Sequence, residues 1–271
     1  MVTVLHLAAL AGYVAVAALL GGSLAGGRAR APGSIAMLTG AAVVLHAAAL
    51  AVYTIHLGEP PLVGLAPSLS ALGFLIGAVV LATTVFRESR TLGVVLTPVV
   101  AILLGTALAL GLAPAGTPVA YRDAWLYVHV ALSFVGYAGL TVAFAAGLVY
   151  LLQFRELKGK RFGRVFRFFP ALDTLDVLGR RALAIGFPAF SLGLLIGFAW
   201  SARFQRPLSA ADPKVVWGAL IWLVFLAALG ARAGGASRCR RGALVCVVGY
   251  AVVVFAYVVL RLAEAGGPFF L

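Results

Sequence analysis

Acid is what this sequence has least of. Aspartate and glutamate together number 8, and charged residues of both signs make up only 11% of the chain. A water-soluble chain carries roughly 25%. With hydrophobic residues at 63% and mean hydropathy at +1.09, water cannot be the solvent for most of the surface, so lipid must be. None of the acids falls deep inside an apolar run, which argues against an ion-driven carrier built on a buried carboxylate.

Cysteine is almost as scarce. Cys239 and Cys246 belong to no C-x-x-C pair and fall at the cytoplasmic side of the last span, which argues against thiol–disulfide chemistry carried by this chain. H-E-x-x-H, G-x-S-x-G and phosphate-loop patterns are missing, so no hydrolase or nucleotide signature is present. The alternating ten-residue segments of a membrane barrel are missing too.

What is present is a series of eight apolar stretches, at about 3–22, 36–57, 65–86, 92–111, 124–152, 181–201, 214–231 and 242–262. Each is close to the ~20 residues that cross ~30 Å of hydrocarbon at 1.5 Å per residue. The expected fold is all-α: a polytopic membrane protein of eight transmembrane helices, forming one integral membrane domain. The first stretch lacks a basic leader and is read as a retained membrane helix rather than a signal peptide.

The net charge of +13 follows a topology rather than a nucleic-acid partner. Of the 21 Lys and Arg residues, 16 fall in the odd-numbered gaps between spans and 5 in the even gaps or at the ends. The positive-inside rule then puts the odd gaps in the cytoplasm and both termini outside. A multi-pass protein of a bacterial or archaeal cell membrane is the expected setting. The one sizeable insertion, 153–180, carries Arg161, Arg164 and Arg167 among Phe162, Phe166, Phe168 and Phe169. It reads either as an amphipathic segment attracted to anionic lipid of the inner leaflet or as a plain basic collar.

All four histidines lie in or at the edge of spans. By counting residues from the span ends, His6, His56 and His129 collect toward the outside, and His46 lies about 15 Å deeper than His56. Imidazole is the commonest metal ligand and a usual axial ligand of haem iron, and polar groups inside spans are functional hypotheses by default. His129 stands out, because in DAWLYVHVALSFVGY the residues Trp125 and Ser133 lie four before and four after it, on one helical face. Trp125 alone would equally suit an interfacial aromatic belt. Gly193 and Gly197 form a G-x-x-x-G read as a packing seam. Asp212 and Pro213 make a strong helix start by capping and a preset first-turn φ, with Lys214 and Trp217 suited to the outer interface.

Three passages taken together, FFPALDTLDVLGRRALAIGFPAFSLGLLIGFAW, then DPKVVWGALIWLVFLA, then RCRRGAL, resemble the cytochrome c assembly family, which includes CcsA-like and HemX/YpjD-like membrane proteins. The resemblance covers roughly residues 120 to 262, with the first four helices agreeing only in number and hydrophobicity. It implies a haem-handling protein of cytochrome c biogenesis, with haem b as cofactor and a cytochrome c assembly partner or apocytochrome as recipient. The family's external tryptophan-rich segment ends in W-D-P-K. Here WSARFQRPLSAADPKVVW keeps Asp212, Pro213 and Lys214 between Trp200 and Trp217 but not the central tryptophans. His129 falls where the family has an external histidine ligand, but no histidine follows it in this chain. A second iron ligand would then come from His56 or His6, and Arg203, Arg206 and Lys214 would meet the propionates. Other readings stay open: a haem-free regulator or scaffold of tetrapyrrole biosynthesis acting through 153–180, or a small-molecule transporter.

Overall fold

The computed structural model describes residues 1–26, 32–85, 90–113, 123–160, 163–203, 212–232 and 238–263. Among the described residues the chain is helical with no strand: α1 (Val2–Gly26), α2 (Pro32–Leu57), α3 (Leu65–Val85), α4 (Gly93–Leu110), α5 (Ala124–Lys158), α6 (Arg164–Phe168), α7 (Leu172–Arg203), α8 (Pro213–Gly230) and α9 (Arg238–Ala263). Seven of these, α1 to α5, α7 and α9, are long and apolar enough to cross a bilayer, and the apolar stretch of α8 is shorter, Val215–Gly230. This is an all-α, multi-pass membrane protein. Large apolar side chains such as Val4, Leu7, Val44, Ile102, Leu195 and Phe255 point outward, as they must where acyl chains are the solvent.

Two helices run well past the apolar stretches that announce them. α5 continues through charged residues to Lys158, and α7 begins at Leu172, nine residues before the expected 181. The cause is local. Leu172, Leu175 and Leu178 keep helical spacing, Leu175 is buried, Asp173 suits the positive first turn, and no breaker stands between Pro170 and Pro188. Hydropathy alone ends a span where charge begins, whereas a helix ends where its hydrogen bonds do.

The chain divides into two compact units. Unit 1 comprises Met1–Ala115 and Leu152–Leu175, and unit 2 comprises Gly116–Leu151 and Asp176–Leu271.

In unit 1, each of α1, α2, α3 and α4 packs on the next, and α4 closes back on α1. Tyr13, Val16, Ile76, Val80, Leu96, Val100 and Leu104 fill the interior. No Asp, Glu, Lys or Arg occurs in any of these four helices. Beside them, the Glu156 carboxylate accepts from the N–H groups of Gly163 and Phe166 at 3.1 and 2.9 Å, and Gln153 donates to the Phe169 carbonyl. These bonds tie the end of α5 to α6. Arg164 and Arg167 of α6 are exposed and Phe169 is buried, while Arg161 and Phe162 lie outside the described residues.

Unit 2 packs α5, α7, α8 and α9 around Leu140, Ala143, Leu183, Phe190, Ile221, Phe225 and Cys246. Small residues let the backbones touch. A Cβ on Gly139 would lie 2.7 Å from the Ala182 carbonyl oxygen, and one on Gly147 would lie 2.9 Å from that of Ala243. Close approach of this kind supplies the dispersion that replaces a hydrophobic driving force in lipid.

One end of unit 2 is held by a buried charge pair. Arg232, just after α8, donates through Nη1 to Asp176 Oδ1 at 2.7 Å, with the two side chains 7% and 5% exposed. Arg180 meets the other carboxylate oxygen at 3.2 Å, and Arg232 Nη2 lies 3.7 Å from Cys246 Sγ. The guanidinium threads past Gly179 and Gly242, whose missing side chains leave it room. Removing one member of such a pair strands the other's charge, and is far more costly than replacing the whole pair with apolar side chains. Asp176→Ala is therefore expected to destabilise by about 3–5 kcal/mol. Arg232→Met, which leaves Asp176 with Arg180, should cost clearly less. Thermal unfolding of both variants in detergent checks the order.

Candidate functional site

The sequence singled out imidazoles, and the structure sorts them into two settings.

His129 belongs to unit 2. Asp123 starts α5 by accepting the Leu126 N–H at 3.1 Å on its carboxylate, which sets Trp125 in the first turn and His129 in the second. The His129 ring lies against α7. Its Nδ1–H donates to the Gly193 carbonyl at 2.7 Å, and a Cβ on Gly197 would lie 2.7 Å from both Cε1 and Nδ1. A carbonyl can only accept, so Nδ1 carries the proton and the neutral ring presents a lone pair at Nε2. Nε2 makes no hydrogen bond to a described residue. Ser133, one turn on, donates to the His129 carbonyl at 2.8 Å and is spent locally. The G-x-x-x-G read as a packing seam is one, with Gly193 against the α5 backbone, and at Gly197 it also seats this imidazole.

The register of the helices brings further expected residues to the same end of unit 2. Along antiparallel α5 and α7, Gly139 lies beside Ala182 and Gly186, Gly136 beside Phe190, and His129 beside Gly193 and Gly197. Continuing that register sets Trp125 level with Trp200, and Arg203 ends α7 just beyond. Gly218 of α8 approaches Leu194, which puts Trp217 level with the His129 seat. Trp217 turns inward, its ring 5.6 Å from that of Tyr257, whereas Trp125 is 44% exposed. Asp212 stands at the start of α8 and its carbonyl accepts the Val216 N–H at 3.0 Å, the helix start that the sequence predicts. Arg206 and the side chain of Lys214 lie outside the described residues.

The other three histidines are in unit 1, and they do not gather as counting from span ends suggests. Gly12 faces Ala42 across α1 and α2, which sets His46 about level with residue 8. His46 therefore meets His6, ring centroids 5.7 Å apart, and not a deeper layer of its own. Both rings are fully buried and both Nε2 atoms lie 3.0 Å from Ser70 Oγ. His6 Nδ1 bonds the Val2 carbonyl at 2.9 Å, and His46 Nδ1 lies 3.4 Å from the Tyr13 hydroxyl. All four ring nitrogens thus have protein partners. His56 is exposed at the end of α2, its Nδ1–H donating to the Val52 carbonyl at 3.1 Å.

Sequence reasoning passed over Ser70 and Tyr13, and read Gly193 and Gly197 only as a packing seam. Tyr13 had a usable signal, since it stands seven residues after His6 on the same helical face. Ser70 is 64 residues from His6, and nothing local links them.

Among the described residues no three His, Cys, Asp or Glu side chains cluster as a metal centre. A groove between α8 and α9, lined by Leu220, Leu223, Val224, Leu244, Val245 and Val248, is apolar and offers no ligand atom. Among the described residues, the donor at the α5–α7 end is an oriented imidazole with tryptophans at the same level. That is the donor type haem iron takes from a protein, and a carbonyl behind it is the usual support.

Fold and site together define a multi-pass helical membrane protein that presents an oriented imidazole near one end of its second unit. The chain belongs to the cytochrome c assembly protein family, whose model matches residues 64–266. The match therefore takes in α3 and α4, upstream of the residues that carry the resemblance in the sequence. Among its relatives are proteins named cytochrome c biogenesis protein CcsA. That of Chlamydomonas reinhardtii is 30% identical over 149 residues, 54% of this chain and 40% of the relative. That of Guillardia theta is 28% identical over 153 residues, 51% of each chain. That of Microcystis aeruginosa is 28% identical over 268 residues, 81% of this chain and 82% of its own. The first two matches span about half or less of the relatives' length.

If Gly197 seats the imidazole, Gly197→Val forces the ring away from the Gly193 carbonyl. The side-chain ¹⁵N resonances of His129 should then lose the single Nδ1–H tautomer, while those of His6 and His46 stay unchanged.

Proposed function

We propose that this chain is a haem-handling protein of cytochrome c biogenesis, with His129 as an axial ligand to the iron of haem b. One observation carries the reading. In a chain of this family, the Gly193 carbonyl holds His129 as the tautomer whose Nε2 can ligate. Bound haem would supply an iron that exchanges ligands and changes oxidation state by one electron. The chain's own residues bind and orient it. His129 offers the donor atom, Gly197 leaves the ring its seat, and Trp125 and Trp200 offer aromatic surface at the same level. Arg203, Arg206 and Lys214 are the cations proposed for the two propionates, by charge-assisted bonds.

His56, whose Nδ1 is likewise engaged by a backbone carbonyl, is the other imidazole available as an iron ligand. His6 and His46 are less suited to ligation, because each would first have to give up a partner.

The asymmetry of basic residues supports eight spans with both termini and the His129 end outside, in a cell membrane of bacterial type. α8, at about 27 Å for its 18 residues, is long enough to be the eighth span. On that side the partner is an apocytochrome bearing C-x-x-C-H, since this chain has no such motif for covalent attachment. Exposed Arg164 and Arg167 on α6, in the basic 153–180 stretch, are proposed to attract anionic lipid.

The full chain purified in detergent should take up haem b and show the visible bands of histidine-ligated haem in both oxidation states. His129→Ala should lose those bands. Disturbing the support behind the ligand, by Gly197→Val, should weaken haem affinity about 10–100-fold. A protein that stays colourless with added haem, or a His129→Ala variant with unaltered bands, would refute the proposal.

A further inference from the structure

Unit 1 holds a second polar system that the haem reading does not use. The helices α1 to α4 contain five titratable side chains, His6, Tyr13, His46, Tyr53 and His56, and three of them are joined through Ser70 into one hydrogen-bonded chain. α3 and α4 contribute no titratable group. Glu59 is buried in the turn after α2, and α6, packed on α1, carries Arg164 and Arg167, both exposed. The site is purpose-shaped. The ring of Tyr13 presses on Gly77, where a Cβ would clash, and His46 Cε1 would lie 3.8 Å from a Cβ on Gly73.

Donor and acceptor accounting fixes every proton in the neutral chain. The Val2 carbonyl accepts, so His6 carries its proton on Nδ1 and its Nε2 is a bare acceptor. The one available donor there is the Ser70 hydroxyl. Ser70 has then spent its single proton, so His46 must donate from Nε2 into Ser70 Oγ. His46 Nδ1 is thereby bare and takes the Tyr13 hydroxyl proton, at 3.4 Å the longest link. The order runs one way, from Tyr13 to His46 to Ser70 to His6.

We infer that Tyr13, His46, Ser70 and His6 form a proton relay, carrying charge between the middle of α1 and its first turns. A proton added at the Tyr13 oxygen lets the original Tyr13 proton pass to His46 Nδ1. The His46 Nε2–H bond breaks and that proton joins Ser70 Oγ, while the Ser70 proton passes to His6 Nε2. One proton enters, each heavy atom keeps its normal valence, and one positive charge ends on His6 as imidazolium. His46 has changed tautomer and every bond in the chain has reversed. Run backwards, the same path takes a proton from His6 toward Tyr13. Hydrogen-bonded chains of ionisable side chains inside spans, histidine among them, are a recurring form of proton relay in membrane proteins.

The test is a pH titration of the full chain, labelled with [¹⁵N]histidine in detergent, following the ring nitrogens of His6 and His46. The expected neutral state has His6 protonated on Nδ1 and His46 on Nε2. As His6 gains its second proton, His46 should shift to Nδ1–H in the same pH step. Ser70→Thr, which keeps a hydroxyl, should preserve that coupling, and Ser70→Ala should abolish it, with His46 keeping one tautomer throughout. The inference is overturned if His46 in the unaltered protein starts on Nδ1 or keeps its tautomer when His6 becomes charged. If Ser70→Ala does not fold, the unaltered protein and Ser70→Thr decide the matter. Haem absorbance plays no part, so failure here is separable from failure of the haem reading.

Discussion

The hydrogen bond from His129 Nδ1 to the Gly193 carbonyl is the interaction on which the functional account depends. It exists because α5 and α7 approach closely enough for an imidazole on one to reach a backbone oxygen on the other. Glycine at 193 and 197 makes that approach possible, and glycine at 139 and 186 extends the same close contact down the helix pair. A helical carbonyl normally satisfies an N–H four residues on, and here its second lone pair takes the ring. The result is one imidazole nitrogen committed and the other left with its lone pair, the atom proposed to meet iron.

The same rule governs the rest of the polar interior. Lipid offers no hydrogen bonds, so each buried polar group must be satisfied by protein. In unit 1 this closes four side chains and one carbonyl into a directed series. In unit 2 it puts Arg232 and Asp176 together with glycines cleared around them. Satisfied and committed groups read as structure or as relay, whereas His129, whose Nε2 has no hydrogen-bond partner among the described residues, is the proposed site. Burial alone does not separate these cases, since His6 and His46 are the more deeply buried rings.

Much of this was legible in the sequence, and the remainder was not for identifiable reasons. Apolar runs announced the membrane class and the seven long helices, and Asp212–Pro213 marked the start of α8. The passages after residue 120 pointed to the family, and the family match reaches back to residue 64. The residues Trp125, His129, Trp200 and Trp217 sit at one end because helix spacing and antiparallel order put them there. What escaped was lateral register. Counting from span ends set His46 alone in a middle layer, but α2 overshoots the start of α1 and brings it to His6. The charged starts and ends of α5 and α7 escaped for a different reason, because a hydropathy window stops at charge while backbone hydrogen bonding continues.

The central claim is that His129 Nε2 binds iron. Pulsed electron paramagnetic resonance of the ferric haem complex, in protein labelled with [¹⁵N]histidine, reads that bond directly. In a His56→Ala background, the account predicts a strong ¹⁵N hyperfine coupling to iron that disappears in His129→Gly and returns, as unlabelled nitrogen, when imidazole is added. A coupling that persists in His129→Gly without imidazole would place the iron on another residue and contradict it.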